Sequence, residues 1–351
     1  MIRLNMYGWN DRLNQLKQES AYNTLSHGRI AIVHRTCYEV VSDSGLYQCE
    51  LTGNMMYGKS DFELPCTGDW VLFQPFDDNK GIIVGMLPRE RTLYRKRNGT
   101  VAGKQAIASY VDKAFIVQSL DDNFNMRRVE RFMVQILEEN IHPVLILNKA
   151  DLPFDKQETE EAIKHLTRRM PVFFTSIHHP ETVSRLRDSI SEGETVVFVG
   201  SSGVGKSSLV NALCERSVLL TSDISQSTGK GRHTSTRREM VLMDGSGVLI
   251  DTPGIREFGL TVDNSDSLAE MLEISNYAES CRFKDCTHTN EPGCAVQEAV
   301  AEGLLDTKVY ESYLKLKREA WYFSASEHEK RKKEKSFTKL VEEVKRRKAD
   351  S

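Results

Sequence analysis

The sequence predicts a doubly wound α/β domain set between a small closed β-barrel and a helical, cysteine-bearing module. Three observations carry this. Between residues 111 and 260, short β-branched apolar runs alternate with segments of helical periodicity, the pattern of a parallel sheet covered on both faces. Between residues 27 and 87, five β-rich runs are separated by turn signals, the pattern of a small barrel. Between residues 281 and 294, three of the seven cysteines crowd together with one histidine. The chain has 351 residues, 39% hydrophobic and 28% charged, which is globular material for two or three domains.

Forty-seven Lys and Arg oppose 50 Asp and Glu, a net charge of −3, so uniform basicity of the histone type is excluded. Any nucleic-acid surface must come from local clusters. No apolar run approaches the roughly 18 residues of a membrane span, and the first residues lack the apolar core of a secretory signal. An odd number of cysteines argues against a disulfide framework. Together these lead to the expectation of a cytoplasmic protein with no membrane partner.

Residues 1–26 read as a polar, helical leader, with Trp9, Leu13 and Leu16 at loose helical spacing. The barrel occupies 27–88, with strands expected at Arg29–His34, Tyr38–Val41, Tyr47–Leu51, Trp70–Pro75 and Gly81–Met86. Five strands in so short a stretch suggest an OB-fold, a barrel that often binds RNA. Arg89, Arg91, Arg95, Lys96, Arg97 and Lys104 then stand against the single acid Glu90. That cluster is either a solvated linker or a contact to RNA phosphates.

The α/β domain is expected over 89–260. Its strands are Lys113–Ser119, Pro143–Leu147, Val172–Thr175, Thr195–Val199 and Val248–Ile250; its helices are Arg127–Asn140, Gln157–Arg169, Thr182–Ser191 and Lys206–Cys214. From 261 to 351 the chain is first acidic, then carries the cysteine cluster. It ends in a helical tail with ten Lys or Arg against five acids from Glu329 onward. A solvated helix or an RNA-backbone surface both fit that tail.

Gly200-Ser201-Ser202-Gly203-Val204-Gly205-Lys206-Ser207 matches G-x-x-x-x-G-K-[ST] at every fixed position, with a strand leading in and a helix leading out. Its N–H groups, continuing to Ser208, would cradle phosphates. Lys206 would reach the β- and γ-phosphates, and Ser207 would ligate Mg²⁺. Asn148-Lys149-Ala150-Asp151 follows a buried strand and so lies at its carboxyl end. A carboxylate there can accept from both donors of guanine's edge, whereas adenine would leave it unpaired. Thr175-Ser176-Ile177 ends the next strand and fits a loop backing the base. Asp251-Thr252-Pro253-Gly254 supplies an acid for Mg²⁺ through water and, at Gly254, an N–H for the γ-phosphate.

These boxes run base, second base loop, P-loop, Mg²⁺ box. Ras-like GTPases run P-loop first, so this is the same site circularly permuted, which re-cutting surface loops allows. The stretch Gly229–Arg238 is glycine-rich, basic and hydroxyl-bearing, as a switch loop should be. Thr234, Ser235 or Thr236 would complete the Mg²⁺ shell. Ile255 stands where Ras-like enzymes orient water with a glutamine, so His233 is the nearest candidate for that role; it also reads as a solvated loop residue. Cys281-x₄-Cys286-x-His288-x₅-Cys294 gives a closed Cys₃His set of the structural zinc type.

Taken together, these motifs, with GRHTST at 231–236 and REFGL at 256–260, resemble the ribosome small subunit-dependent GTPase A family (RsgA, also called YjeQ or YloQ) over nearly the whole chain. The resemblance implies an N-terminal OB-fold, a circularly permuted P-loop GTPase domain and a C-terminal zinc-binding helical domain. It implies late maturation of the small ribosomal subunit, GTP hydrolysis stimulated by that subunit, and His233 as the catalytic histidine beside Lys206; such an enzyme is expected either to release assembly factors or to check the subunit's maturation. A monomer is expected. The switch reads Thr-Ser-Thr where the family usually has Thr-Thr, so the resemblance does not choose the Mg²⁺ hydroxyl. Two other readings stand beside it: a binding module whose nucleotide is a conformational switch, and an ATP-dependent kinase, which Asp151 disfavours.

Overall fold

The computed structural model describes residues 2–60, 62–96, 104–214, 239–251, 268–269 and 272–324. The chain falls into two compact units, Met1–Phe258 and Gly259–Ser351.

In the first unit the barrel strands are β1 (Ser26–Val33), β2 (Tyr38–Ser42), β3 (Gly45–Leu51), β4 (Trp70–Asp77) and β5 (Lys80–Met86). They pair in the order β1-β2-β3-β5-β4, and β4 returns to β1, which closes the barrel. The β3–β5 pair is parallel and the rest antiparallel. Ile30, Val40, Cys49, Val71, Phe73 and Ile83 fill the interior. Space there is tight: a Cβ on Gly81 would lie 2.7 Å from the Phe73 ring.

The leader is not a solvated appendage. A 3₁₀ turn at Leu4–Tyr7 and helix α1 (Asp11–Glu19), capped by Asn10, pack on this unit through buried Leu4 and Leu13. Trp9 lies 4.1 Å from the His27 ring and 4.9 Å from Trp70. Apolar residues at one helical face (Leu13, with Leu16 half-buried) found a partner that composition alone did not reveal.

The basic stretch after the barrel also differs from the expectation. Arg89 is bound to Asp69, its Nη2 2.6 Å from Oδ2, and to the carbonyls of Phe62 and Leu64. Arg91 pairs with Asp112 at 3.0 Å, and Arg95 donates to Gln105 at 2.8 Å. The stretch forms a hairpin of β6 (Leu93–Lys96) and β7 (Lys104–Ala108). Internal acceptors hold three of the six cations, and the side chains of Lys96, Arg97 and Lys104 lie outside the described residues.

The α/β part continues the sheet. Strands β8 (Lys113–Ser119), β9 (His142–Asn148), β10 (Val172–Thr175), β11 (Thr195–Val199), β12 (Glu239–Leu242) and β13 (Val248–Asp251) run in the order β10-β9-β8-β11-β13-β12. All are parallel to their neighbours except β12, which is antiparallel to β13 and touches β1 at Ile32↔Glu239. A bulge in β1 between Ile30 and Ile32 lets that strand serve both the barrel and the larger sheet.

A short helix, α2 (Gly53–Met56), follows β3 in the barrel, and four helices cover the parallel strands. α3 (Met126–Glu138) starts on an Asn125 cap and buries Val129, Phe132, Met133 and Ile136, one face at helical spacing. α4 (Lys156–Thr167) is capped by Asp155, and α5 (Pro180–Asp188) opens on a proline at its first position. α6 (Lys206–Leu213) buries Leu209, Val210 and Leu213. The second unit holds α7 (Ser275–Ala278), α8 (Ala295–Ala301) and α9 (Thr307–Ser324). Among the described residues, no helix is long and apolar enough to cross a membrane.

Arg29 of β1 binds the barrel to the α/β strands. It is 1% exposed and donates to the carbonyls of Tyr7 (2.5 Å) and Gly68 (2.9 Å) and to Thr195 Oγ1 (2.8 Å). It also lies 3.4 Å from the carbonyls of Ser109 and Tyr110. Arg29→Leu would strand these acceptors in a dry interior, each at a cost of about 1–3 kcal/mol. Urea unfolding followed by tryptophan fluorescence should show a loss of roughly 3 kcal/mol or more; wild-type stability would refute this account of the junction.

Candidate functional site

Parallel strands end at one edge of the sheet, and the sequence boxes collect there. Thr175, the last residue of β10, stands in register with Asn148, the last of β9. The segment from Gly200 to Gly205 leaves β11 and enters α6. Asp251 ends β13 and is 7% exposed. Base box, second loop, P-loop and Asp251 thus belong to one carboxyl edge.

Buried hydrogen bonds hold them together. Asn148, 3% exposed, donates from Nδ2 to the Val204 carbonyl at 2.9 Å and accepts from Thr175 Oγ1 at 3.1 Å. It therefore ties base box, second loop and P-loop in one side chain. Ala150 N–H donates to the Thr175 carbonyl at 3.0 Å. Ser176, buried, donates its hydroxyl to Asp151 Oδ1 at 2.5 Å, and that bond draws the exposed Asp151 carboxyl below its ordinary value. Asp151 therefore stays ionised and faces solvent, ready to accept two donors.

Backbone shape sets the P-loop. Gly200, Gly203 and Gly205 have φ of 149°, 83° and 89°. A Cβ on Gly200 would lie 2.4 Å from the Val117 carbonyl, and one on Gly205 would lie 2.3 Å from Asn148 Nδ2. Only glycine satisfies both the close approach and the left-handed φ at Gly205. Lys206 Nζ bends back to the carbonyls of Gly200 and Ser201, 2.7 Å from each. Ser207 and Ser208 lie in the first turn of α6, partly exposed. Ser202 and Gly203 are exposed, and Val204 is fully buried.

Three side chains absent from the sequence motifs join this edge. Asp121 accepts from Lys149 Nζ at 2.8 Å, from Ser119 Oγ at 2.6 Å and from the Asn123 N–H at 3.0 Å. Burial would raise its pKa, but these donors outweigh that and hold it at about 2. Asn123 and Arg128 both reach Ser201 on the P-loop. Their one sequence signal was position: a polar run at the carboxyl end of a buried strand. Lys149 has φ of 61°, so the base box turns sharply after β9. His233, Thr234, Ser235, Thr236, Gly254 and Ile255 lie outside the described residues.

In the second unit Cys281, Cys286, His288 and Cys294 place one ligand atom each within 4.8 Å of one another. Cys281 Sγ is 3.9 Å from Cys294 Sγ, and His288 Nδ1 is 3.5 and 3.6 Å from those two sulfurs. A tetrahedral ion with bonds of about 2.3 Å to sulfur and about 2.0 Å to nitrogen requires edges of about 3.8 and 3.5 Å, so this set fits a metal ion. Burial pushes the Cys286 thiol up to about 12 and lowers His288, leaving a neutral imidazole. A central cation would convert the thiols to thiolates. The Glu291 carboxylate accepts N–H groups of Thr287, Thr289 and Asn290, and Tyr310 Oη donates to the His288 carbonyl at 2.6 Å. These bonds fix the ligand loop.

A strand–P-loop–helix beside an N-K-x-D box, joined through Asn148, with the base box earlier in the chain, defines a circularly permuted P-loop GTPase. The comparisons agree with that class. The RsgA GTPase family matches residues 86–261. A Bacteroides thetaiotaomicron protein, small ribosomal subunit biogenesis GTPase RsgA 1, is 75% identical over 347 residues, 99% of this chain and 98% of its own. A Methanosarcina acetivorans RsgA is 40% identical over 89% of this chain and 84% of its own. Among solved structures, YjeQ from Thermotoga maritima has a TM-score of 0.65 at 24% identity, covering 84% of this chain and 98% of its own. YloQ, described as a circularly permuted GTPase, has a TM-score of 0.63 at 25% identity, covering 88% and 99%. The chain belongs to the RsgA family and is a GTP-hydrolysing enzyme.

The metal site yields a prediction. Elemental analysis should find about one ion per chain, and Cys286→Ser should release it and open residues 281–294 to protease. A chain with no metal and unchanged proteolysis would leave the cluster as plain thiols.

Proposed function

We propose that this chain is a cytoplasmic, monomeric GTPase of small ribosomal subunit biogenesis. On this reading it binds the subunit in the GTP state, is stimulated by it to form GDP and phosphate, and helps release an assembly factor. One observation carries the nucleotide half: Asn148 links base box, second loop and P-loop, so guanine and phosphate recognition are built as one site. The family and its printed names support the ribosomal half.

In the proposed mechanism Asp151 accepts both donors of guanine's edge, the Lys149 stem covers the ring, and Asn148, Ala150, Thr175 and Ser176 hold that loop. Gly200 to Ser208 wrap the phosphates with N–H groups, and Lys206 neutralises the β- and γ-oxygens. Ser207, a hydroxyl of Thr234 or Thr236, and Asp251 through water would hold Mg²⁺, which supplies further charge neutralisation. The Gly254 N–H senses the γ-phosphate. Ile255 has no group that can orient water, so that task falls to His233.

The same reading assigns domains 27–88, 89–260 and 261–351, with residues 1–26 folded onto the first. The Cys₃His set holds zinc in a structural, closed shell. The barrel offers rRNA the exposed rings of Tyr57 and Phe76, 93% and 57% accessible, on which bases can stack. We assign the contacts to rRNA phosphates to Lys96, Arg97 and Lys104 of the stretch after the barrel and to the C-terminal tail. Twenty-nine residues lie between Asp251 and Cys281, so a segment that senses the γ-phosphate feeds directly into the metal module.

Two measurements test this. Asp151→Asn should weaken GTP binding by about 1.5–3 kcal/mol and improve xanthosine triphosphate, whose extra carbonyl pairs with the new amide; unchanged GTP affinity would sink the base assignment. GTP turnover with small subunits present should rise well above the rate without them. His233→Ala should keep GTP-dependent subunit binding and lose most of that rise. Full stimulation of the variant would remove His233 from the mechanism. An absence of any stimulation would favour the reading in which nucleotide acts as a conformational switch.

A further inference from the structure

The P-loop is gripped from two sides. From inside, Lys206 Nζ lies 2.7 Å from the carbonyls of Gly200 and Ser201. A P-loop lysine works on the β- and γ-phosphates, so the stretch its ammonium touches is the γ end of the loop. The α- and β-phosphates belong to the later N–H groups, at the entry to α6.

From outside, the grip comes from the β8–α3 segment. Arg128 Nη1 donates to Ser201 Oγ at 2.8 Å and to Asn123 Oδ1 at 3.1 Å. Asn123 Nδ2 reaches the Ser202 carbonyl at 3.2 Å and Ser201 Oγ at 3.4 Å. Both residues are themselves fixed. Arg128 rises from the first turn of α3, where its N–H is held by the Asn125 cap and the next residue, Val129, is fully buried. The Asn123 N–H is held by Asp121, which also pairs with Lys149 of the base box.

We propose that Arg128, aided by Asn123, is a positioning residue that shapes the Ser201–Ser202 half of the P-loop for the γ-phosphate and thereby favours GTP over GDP. The proposal rests on the GTP-site reading above. It follows from placement: the clamp touches the γ end and leaves Gly203 to Ser208, which a diphosphate uses, untouched. A hydrogen bond from a charged donor contributes about 1.5–3 kcal/mol, a tenfold effect or more.

Equilibrium titration with a non-hydrolysable GTP analogue and with GDP reads it directly. Arg128→Ala should weaken the GTP analogue about tenfold or more and GDP less than about twofold. Arg128→Lys, keeping a cation on the same helix turn, should recover part of the loss. Ser201→Ala removes the acceptor and should show the same selectivity. The double variant should be little worse than either single one, because both remove one contact. Retained GDP binding reports that each variant is folded, and Ser201→Ala carries the test should Arg128→Ala fail to fold. Equal weakening of both nucleotides, no weakening, or additive losses would overturn the proposal. The GTP-site reading stands or falls separately: it fails if wild type binds neither nucleotide or if Asp151→Asn leaves GTP binding intact.

Discussion

Parallel strands deliver all their carboxyl ends to one edge, and the chemistry of this chain depends on that register. Thr175 pairs level with Asn148, Val199 with Ile116, and Val197 with Ile250. The P-loop leaves the edge three residues below the base box, since Val199 is level with Ile116 and Asn148 with Ser119. The order in which the chain visits the strands does not enter. That is why the base box precedes the P-loop here without disturbing either, and why a permuted sequence assembles the site of an unpermuted one. The register is enforced by packing: β8 and β11 approach so closely at Gly200 that no side chain fits beside the Val117 carbonyl.

The two ends of β11 have opposite duties. Its first residue, Thr195, takes a hydrogen bond from buried Arg29, which fastens the barrel. Beyond its last residue, Val199, the P-loop begins. Arg29 thus fastens the barrel at the amino edge, while Ile32 of β1 meets Glu239, level with Asp251, on the carboxyl edge. At that edge the polar links are few and shared. Asn148 serves three loops, and Gly205 must remain glycine both for its φ and for the Asn148 amide beside it. Sharing makes the site cooperative: disturbing one loop disturbs the others.

The elements legible in the sequence were those whose signal is local. Buried parallel strands announce themselves as apolar runs, so Lys113–Ser119, Val172–Thr175 and Thr195–Val199 emerged with the bounds the structure has. Fixed spacing made the P-loop, N-K-x-D and Cys₃His sets readable as well. What escaped was set by tertiary contact. The four-residue antiparallel strand Glu239–Leu242 and the β6–β7 hairpin carry no distinctive pattern. Arg89 and Arg91 read as a basic cluster because their acids, Asp69 and Asp112, stand about twenty residues away in sequence. Asp121, Asn123 and Arg128 belong to no motif; only their place after a buried strand marks them.

Under the proposed function, one substitution decides how control is exercised. Ile255 follows the γ-sensing glycine, and its side chain can neither donate nor accept a hydrogen bond. With the water unassisted from that position, the bound GTP state should persist until His233 is brought into line. The persistence is useful only if the site holds GTP firmly meanwhile, and the observed links are suited to that. Asp151 is kept ionised by Ser176, Lys149 is held by Asp121, and Ser201 is clamped by Arg128. Each acts on a nucleotide-binding loop. Binding and hydrolysis are thereby assigned to different segments: a rigid carboxyl edge grips the nucleotide, and the stretch around residues 229–238 determines when it is hydrolysed. A subunit that acts on the second need not alter the first, which is the arrangement expected of a GTPase whose clock is set by its partner.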